Sequence, residues 1–110
     1  MSCSIRRRKV LLDQTAAGNG PWIRLDSRYE DSPERAIQIS LTAGDSVRIE
    51  GTTLDIRGEG DPTDTIAAED IAILDGSFSS STSTILNGNW TYIRVVKTGS
   101  SGNAKVQGFV

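Results

Sequence analysis

Short apolar runs broken by turn residues are the dominant pattern along this chain. In "AIQISL", Ile37, Ile39 and Leu41 fall on one face while Gln38 and Ser40 fall on the other. That alternation is the period of a half-buried β-strand. After "TAGD" the alternation resumes in "SVRIEGTTLDI", with Val47 and Ile49 inward and Arg48 and Glu50 outward. Two such runs around a four-residue turn predict a hairpin.

Upstream, Val10-Leu11-Leu12 leads to the turn signal Gly18-Asn19-Gly20-Pro21, and "WIRLDSRY" begins a second strand-like run. "EDSPE" and "RGEGDPTD" read as loops by composition. "TIAAEDIAIL" is ambiguous. Ile66, Ala67, Ile71 and Leu74 could line a short helix, while the β-branched "IAIL" favours a strand. "GSFSSSTSTILNGN" is polar and low in complexity, which suits a loop or an exposed edge strand. "WTYIRVVKT" and "AKVQGFV", joined by "GSSGN", predict a closing hairpin. In the first of these runs Ile93 and Val95 face one way and Tyr92, Arg94 and Val96 the other.

Turns at roughly ten-residue spacing between short strands predict an all-β fold. The expected architecture is a single β-sandwich, jelly-roll or immunoglobulin-like, of about seven or eight short antiparallel strands. A basic arm over residues 1–9 would precede a sandwich domain over residues 10–110. One internal echo links "GNGPWIRLD" to "NGNWTYIRVV", each with a Gly/Asn turn, a Trp and an Ile-Arg pair. The two copies differ in spacing, so they read as similar turn-to-strand chemistry and not as a repeat.

Composition narrows the chemistry. At 110 residues the chain builds one small core, and with 36% hydrophobic and 5% aromatic residues that core is lean. A lean core invites completion by neighbours, hence the expectation of a homo-oligomer. A net charge of -2 supplies no global attraction for nucleic acid. The local run Arg6-Arg7-Arg8-Lys9 could still grip an acidic partner, or simply be a solvated terminus. Cys3 is the single cysteine, so no intramolecular disulfide forms. No stretch is apolar enough to predict a membrane span, and the N-terminus lacks the apolar core of a secretory signal. Synthesis in the cytoplasm is expected.

With no histidine, the Ser-His-Asp and Cys-His schemes and the common zinc sites are excluded. From Asp55 to Asp75 seven carboxylates face the single Arg57. Paired carboxylates could cleave a glycosidic bond, but nothing in the spacing places two of them in a cleft. Glu59, Asp61 and Asp64 could hold a calcium ion, although their spacing does not match the twelve-residue calcium loop. No enzyme, cofactor or metal site is therefore expected. Trp22, Trp90, Tyr29 and Tyr92 could stack on sugars or supply core and interface packing, and the places of Trp22 and Trp90 directly after turns favour packing. Arg24 and Arg94, at matching places in the echo, could each fork onto a neighbour's carboxylate or stand in solvent.

The segment "GNWTYIRVVKTGSSGNAKVQGFV" resembles the endings of small all-β virion proteins of tailed bacteriophages. In these a Trp-containing strand with Ile-Arg leads through "KTG" to a final strand of the type "AKVQG". The resemblance covers about a quarter of the chain and implies a structural, non-enzymatic role. It implies a virion location, most simply as a capsid decoration or cement protein. A neck, tail or fibre-base component is the related alternative, and a carbohydrate-binding module is the alternative from another class. Expected partners are the major capsid protein or neighbouring tail and neck proteins. The candidate subunit contacts are Arg6, Arg7, Arg8, Lys9, Trp22, Arg24, Trp90, Tyr92 and Arg94, with the Asp55 to Asp64 loop as a second contact arm.

Overall fold

The computed structural model describes residues 8–25, 34–42, 44–53, 66–88 and 90–110. Within them lie β1 (Arg8–Gln14), β2 (Gly18–Asn19), β3 (Ile23–Arg24), β4 (Arg35–Leu41) and β5 (Ser46–Thr52). β6 (Ala72–Phe78), β7 (Thr82–Leu86), β8 (Tyr92–Thr98) and β9 (Ala104–Phe109) follow. A 3-10 turn, Ala68–Asp70, stands before β6, so the ambiguous segment resolves into a short turn and then a strand. The strands form two antiparallel sheets. Sheet A has the order β1-β9-β4-β7; sheet B has the order β2-β8-β5-β6, with β3 also on β8.

β2 and β3 are two pieces of one strand. Gly18 and Asn19 pair with Lys97 and Val96, and Ile23 and Arg24 pair with Ile93 and Tyr92. Between them Gly20 N–H still reaches Val95 O at 2.7 Å, but Pro21 has no N–H to continue the ladder. Counting these pieces together, the pairing is nested: β1 with β9, β2/β3 with β8, β4 with β7, β5 with β6. One long antiparallel ribbon has been rolled so that successive segments fall in alternate sheets. This eight-strand arrangement is a jelly roll. The immunoglobulin-like alternative, with its ABED and CFG sheets, does not have this order.

Both expected hairpins are corrected. β4 and β5 lie in different sheets, and so do β8 and β9. The turns "TAGD" and "GSSGN" carry the chain across the core instead of back along an edge. Alternation reports which face of a strand is buried, and it reads the same whether the next strand lies beside it or opposite.

The core fills the space between the sheets. Sheet A contributes Leu11, Leu12, Ile37, Ile39 and Val106; sheet B contributes Val47, Ile49, Ile93 and Val95. Consecutive Leu11 and Leu12 both enter it because the register slips between Val10 and Leu12, a bulge that rotates two neighbours to one side. The echoed segments are direct neighbours: Ile23 sits opposite Ile93.

Candidate functional site

Of the four connections that cross between the sheets at one end of the sandwich (15–17, 42–45, 79–81 and 99–103), three meet in one knot: 15–17 after β1, 42–45 after β4 and 99–103 after β8. A single ammonium ties two of them directly to a carboxylate on the third. Lys97 follows Ile93 and Val95 on the inward face of β8, and its side chain is fully buried. Its Nζ donates to Thr15 O at 2.8 Å, Gly99 O at 2.6 Å and Asp45 Oδ2 at 2.8 Å. Asp45 also accepts from the backbone N–H groups of Ser101 and Gly102 at 3.2 and 2.8 Å. The Lys97 hydrogen bond, helped by the Gly102 and Ser101 N–H groups against the opposing effect of burial, holds the Asp45 carboxyl down at about 2.

Gly99 belongs to the same knot. Its φ of 92° is one that side chains rarely adopt, and a Cβ there would run into Asp45 Oδ1. Thr42 and Asn103 close the ring outside it. Thr42 N–H donates to Asn103 O at 3.1 Å, and Asn103 N–H donates to Thr42 Oγ1 at 2.8 Å. Asn103 Nδ2 then reaches Asp13 Oδ1 on β1 at 2.9 Å. A buried Lys–Asp pair can mark a reactive site. Here all three ammonium protons have acceptors within the chain, so the pair holds the crossings together and leaves no donor for a substrate.

The outer face of sheet B carries most of the candidate contacts. Tyr92 is 1% exposed, on the side of β8 away from the core, so its ring is enclosed by the chain itself. Beside it Glu50 accepts from Arg94 Nε at 2.8 Å and from Arg48 Nε at 2.6 Å. Burial pushes the Glu50 carboxyl up, and the two guanidinium groups together outweigh it and leave it below its ordinary value. Arg94 also lies over the Trp22 ring, 4.6 Å from its centroid. Arg94 therefore has a carboxylate partner within the chain. Arg24, opposite Tyr92 in the ladder, is exposed.

Trp90 is half-buried against the core, and its indole N–H donates to Asn87 O at 2.9 Å. A pocket of about 240 Å³ lies beside it, lined in part by Thr52, Glu69 and Asp70. Among the described residues no group of His, Cys, Asp and Glu could hold a metal ion. Arg8 and Lys9 are exposed and already belong to β1, opposite Phe109 and Gly108. Arg6, Arg7, Cys3, Tyr29 and the Asp55 to Asp64 loop lie outside the described residues.

The outer face of sheet A is a groove of about 650 Å³ crossing from Arg8 to Ser83, floored by Gln38, Ser40 and Gln107. Arg8 Nε donates to Gln107 Oε1 at 3.0 Å across its rim. Its described lining holds no carboxylate and no aromatic ring. It can exchange hydrogen bonds with a neutral polar ligand but offers neither acid–base chemistry nor a stacking surface.

Sequence reasoning singled out the tryptophans and arginines but missed Lys97 and Asp45. A signal existed. Lys97 continues the inward register of Ile93 and Val95, and a lysine on an apolar face must find partners. Asp45 reads as an ordinary turn residue, and nothing local shows that its acceptor faces β8. Comparison with protein-family models, curated proteins and solved structures gives no match.

Proposed function

We propose that this chain is a non-enzymatic structural protein of a bacteriophage virion, acting as a capsid decoration or cement protein. It binds the major capsid protein or neighbouring virion proteins after synthesis in the host cytoplasm, and it stabilises the shell by burying surface and strand edges against them. A neck or tail position uses the same surfaces. The observation that carries the reading is what the aromatic residues do. Trp90 and Tyr92 pack within the chain, and Trp22 has Arg94 on its ring, so they serve packing and not ligand stacking. The jelly roll adds support, since it recurs in viral capsid domains, although it also recurs in lectins and cupins.

The sheet A groove favours a second reading, a carbohydrate-binding module. That reading ranks lower because the groove's described lining lacks the ring that sugar stacking requires. Mass spectrometry of particles purified from the cells that encode the chain tests the first reading. The chain is expected as a stoichiometric component, and its absence from clean particles overturns the proposal. A glycan array with binding abolished by Gln38→Ala and Gln107→Ala would move the assignment to the second.

A further inference from the structure

The four lateral strands of a two-sheet sandwich are its exposed edges, and they are treated differently here. β1 carries Arg8, Lys9 and Asp13 and the bulge before Leu12, the β2/β3 edge is broken at Pro21, and β6 carries Asp75 and pairs with β5 in an irregular register. Charges, bulges and prolines are the devices that keep an edge from pairing with other chains. β7 has none of them. From Gly76 to Ile93 the sequence contains no charged residue, and β7, "TSTIL", lies inside that stretch. Its Ile85 is 59% exposed on the outer face of sheet A. Asp75 on neighbouring β6 is engaged by Thr84 Oγ1 at 2.8 Å.

The ladder shows which backbone groups of β7 are unused by β4. Leu41 N–H and C=O both meet Ser81 Oγ, so Leu41 points toward the β7 side, while Thr42 N–H points toward β9. Alternation then turns Ile39, Ile37 and Arg35 toward their partners Thr82, Thr84 and Leu86. Ser83 and Ile85 are left with N–H and C=O directed away from the sheet, and Ser83 O meets only the Thr82 hydroxyl, at 3.5 Å. Two outward residues flanking one inward residue suit an antiparallel copy of themselves. About a two-fold axis at Thr84, Ser83 pairs with Ile85 of the copy and Ile85 with Ser83, and every outward group gains a partner.

We propose that the β7 edge pairs with β7 of a second copy of this chain, joining two four-stranded A sheets into one. A second copy fits because β7 has no charged side chain of its own and its outward groups are self-complementary about Thr84. The pairing closes as a dimer instead of growing into a fibre, since the opposite edge of the same sheet, β1, is bulged and charged. The inference does not depend on the virion reading; each can fail without the other.

Sedimentation velocity across micromolar to millimolar concentration, run on the intact chain, tests it. A reversible dimer is expected. Ser83→Pro removes an N–H that faces outward and leaves the β4 ladder intact, so it should weaken the dimer about tenfold or more with little change in thermal stability. Ile85→Lys, which sets a charge on the pairing strand of each copy, should do the same, and it keeps the test open if the proline variant fails to fold. A Ser77→Ala variant, altered at an exposed position of β6 on sheet B, should dimerise like the parent. A parent chain that is monomeric at millimolar concentration overturns the proposal, as does a dimer that Ile85→Lys leaves unchanged. Capture of a different protein's strand by a monomeric parent overturns the second copy as occupant.

Discussion

Replacing Lys97 with methionine removes the ammonium and keeps a side chain of similar length in the same buried slot. The substitution deletes three hydrogen bonds at once, to Thr15 O, Gly99 O and Asp45 Oδ2. Two backbone carbonyls lose their charged donor, and Asp45 keeps only its bonds from Ser101 and Gly102. The methionine tail recovers some apolar contact, but a buried polar group that loses its partner costs its full desolvation. Breaking a buried ion pair from one side costs about 3–5 kcal/mol. In a domain of this size that is a large share of a total near 5–15 kcal/mol, and each kcal/mol moves the melting temperature by roughly 4–8 °C. Urea denaturation followed by tryptophan fluorescence reads it directly, as a fall in midpoint with the slope unchanged. Asp45→Asn placed on top of Lys97→Met should cost much less than it does alone, because the two residues act as one unit. A Lys97→Met protein within about 1 kcal/mol of the parent would refute the idea that this ammonium holds the crossings.

Stability should be level from neutrality down to about pH 4 and fall below it, since Asp45 titrates at 3.8 in its ordinary state and at about 2 in the fold. A depressed carboxyl stabilises the fold above its unfolded value and loses that contribution as it protonates, so Asp45→Asn should flatten the acid limb of a urea-midpoint profile. Glu50, also lowered, adds to the same limb. Gly108→Ala would place a Cβ 2.7 Å from Ile37 Cδ1 and 2.8 Å from Ala36 O; since that oxygen is backbone, a loss of about 1–3 kcal/mol is expected in thermal unfolding. Arg94→Ala removes the Glu50 pair and uncovers Trp22, so acrylamide quenching of fluorescence should rise while stability falls by about 1–2 kcal/mol.

Strand positions were legible wherever one face is buried and the other is not. Ile37, Ile39, Val47 and Ile49 alternate in the sequence and line the core in the fold, because a period of two needs no knowledge of the partner strand. Sheet membership was not legible for the same reason. "AIQISL" and "SVRIEG" show equal alternation whether they share a ladder or face each other, and only the crossing at 42–45 decides it. The two-leucine step of β1 hid a bulge, which appears in sequence only as a broken alternation. The Lys97–Asp45 pair spans 52 residues, so no local window could join its halves. The echo between the Trp22 and Trp90 segments proved to be a contact, with the two runs side by side on β8 and β3.

The two corrected hairpins bear on one another. Because β4–β5 and β8–β9 are crossings and not hairpins, neither turn has a ladder beside it to hold its shape. Backbone groups at both crossings, and at the 15–17 crossing beside them, must find partners elsewhere, and the polar residues gathered there supply them: Thr42 for Asn103, Asp45 for Ser101 and Gly102, Lys97 for Thr15 and Gly99. The rolled topology thus creates the demand for a buried charge that a plain hairpin stack would not have. It also sets where partners can attach. Segments brought to the crossing end are tied together, and β1 is guarded by its bulge and charges. Within sheet A that leaves the uncharged β7 as the edge on which the proposed pairing with a second copy can form.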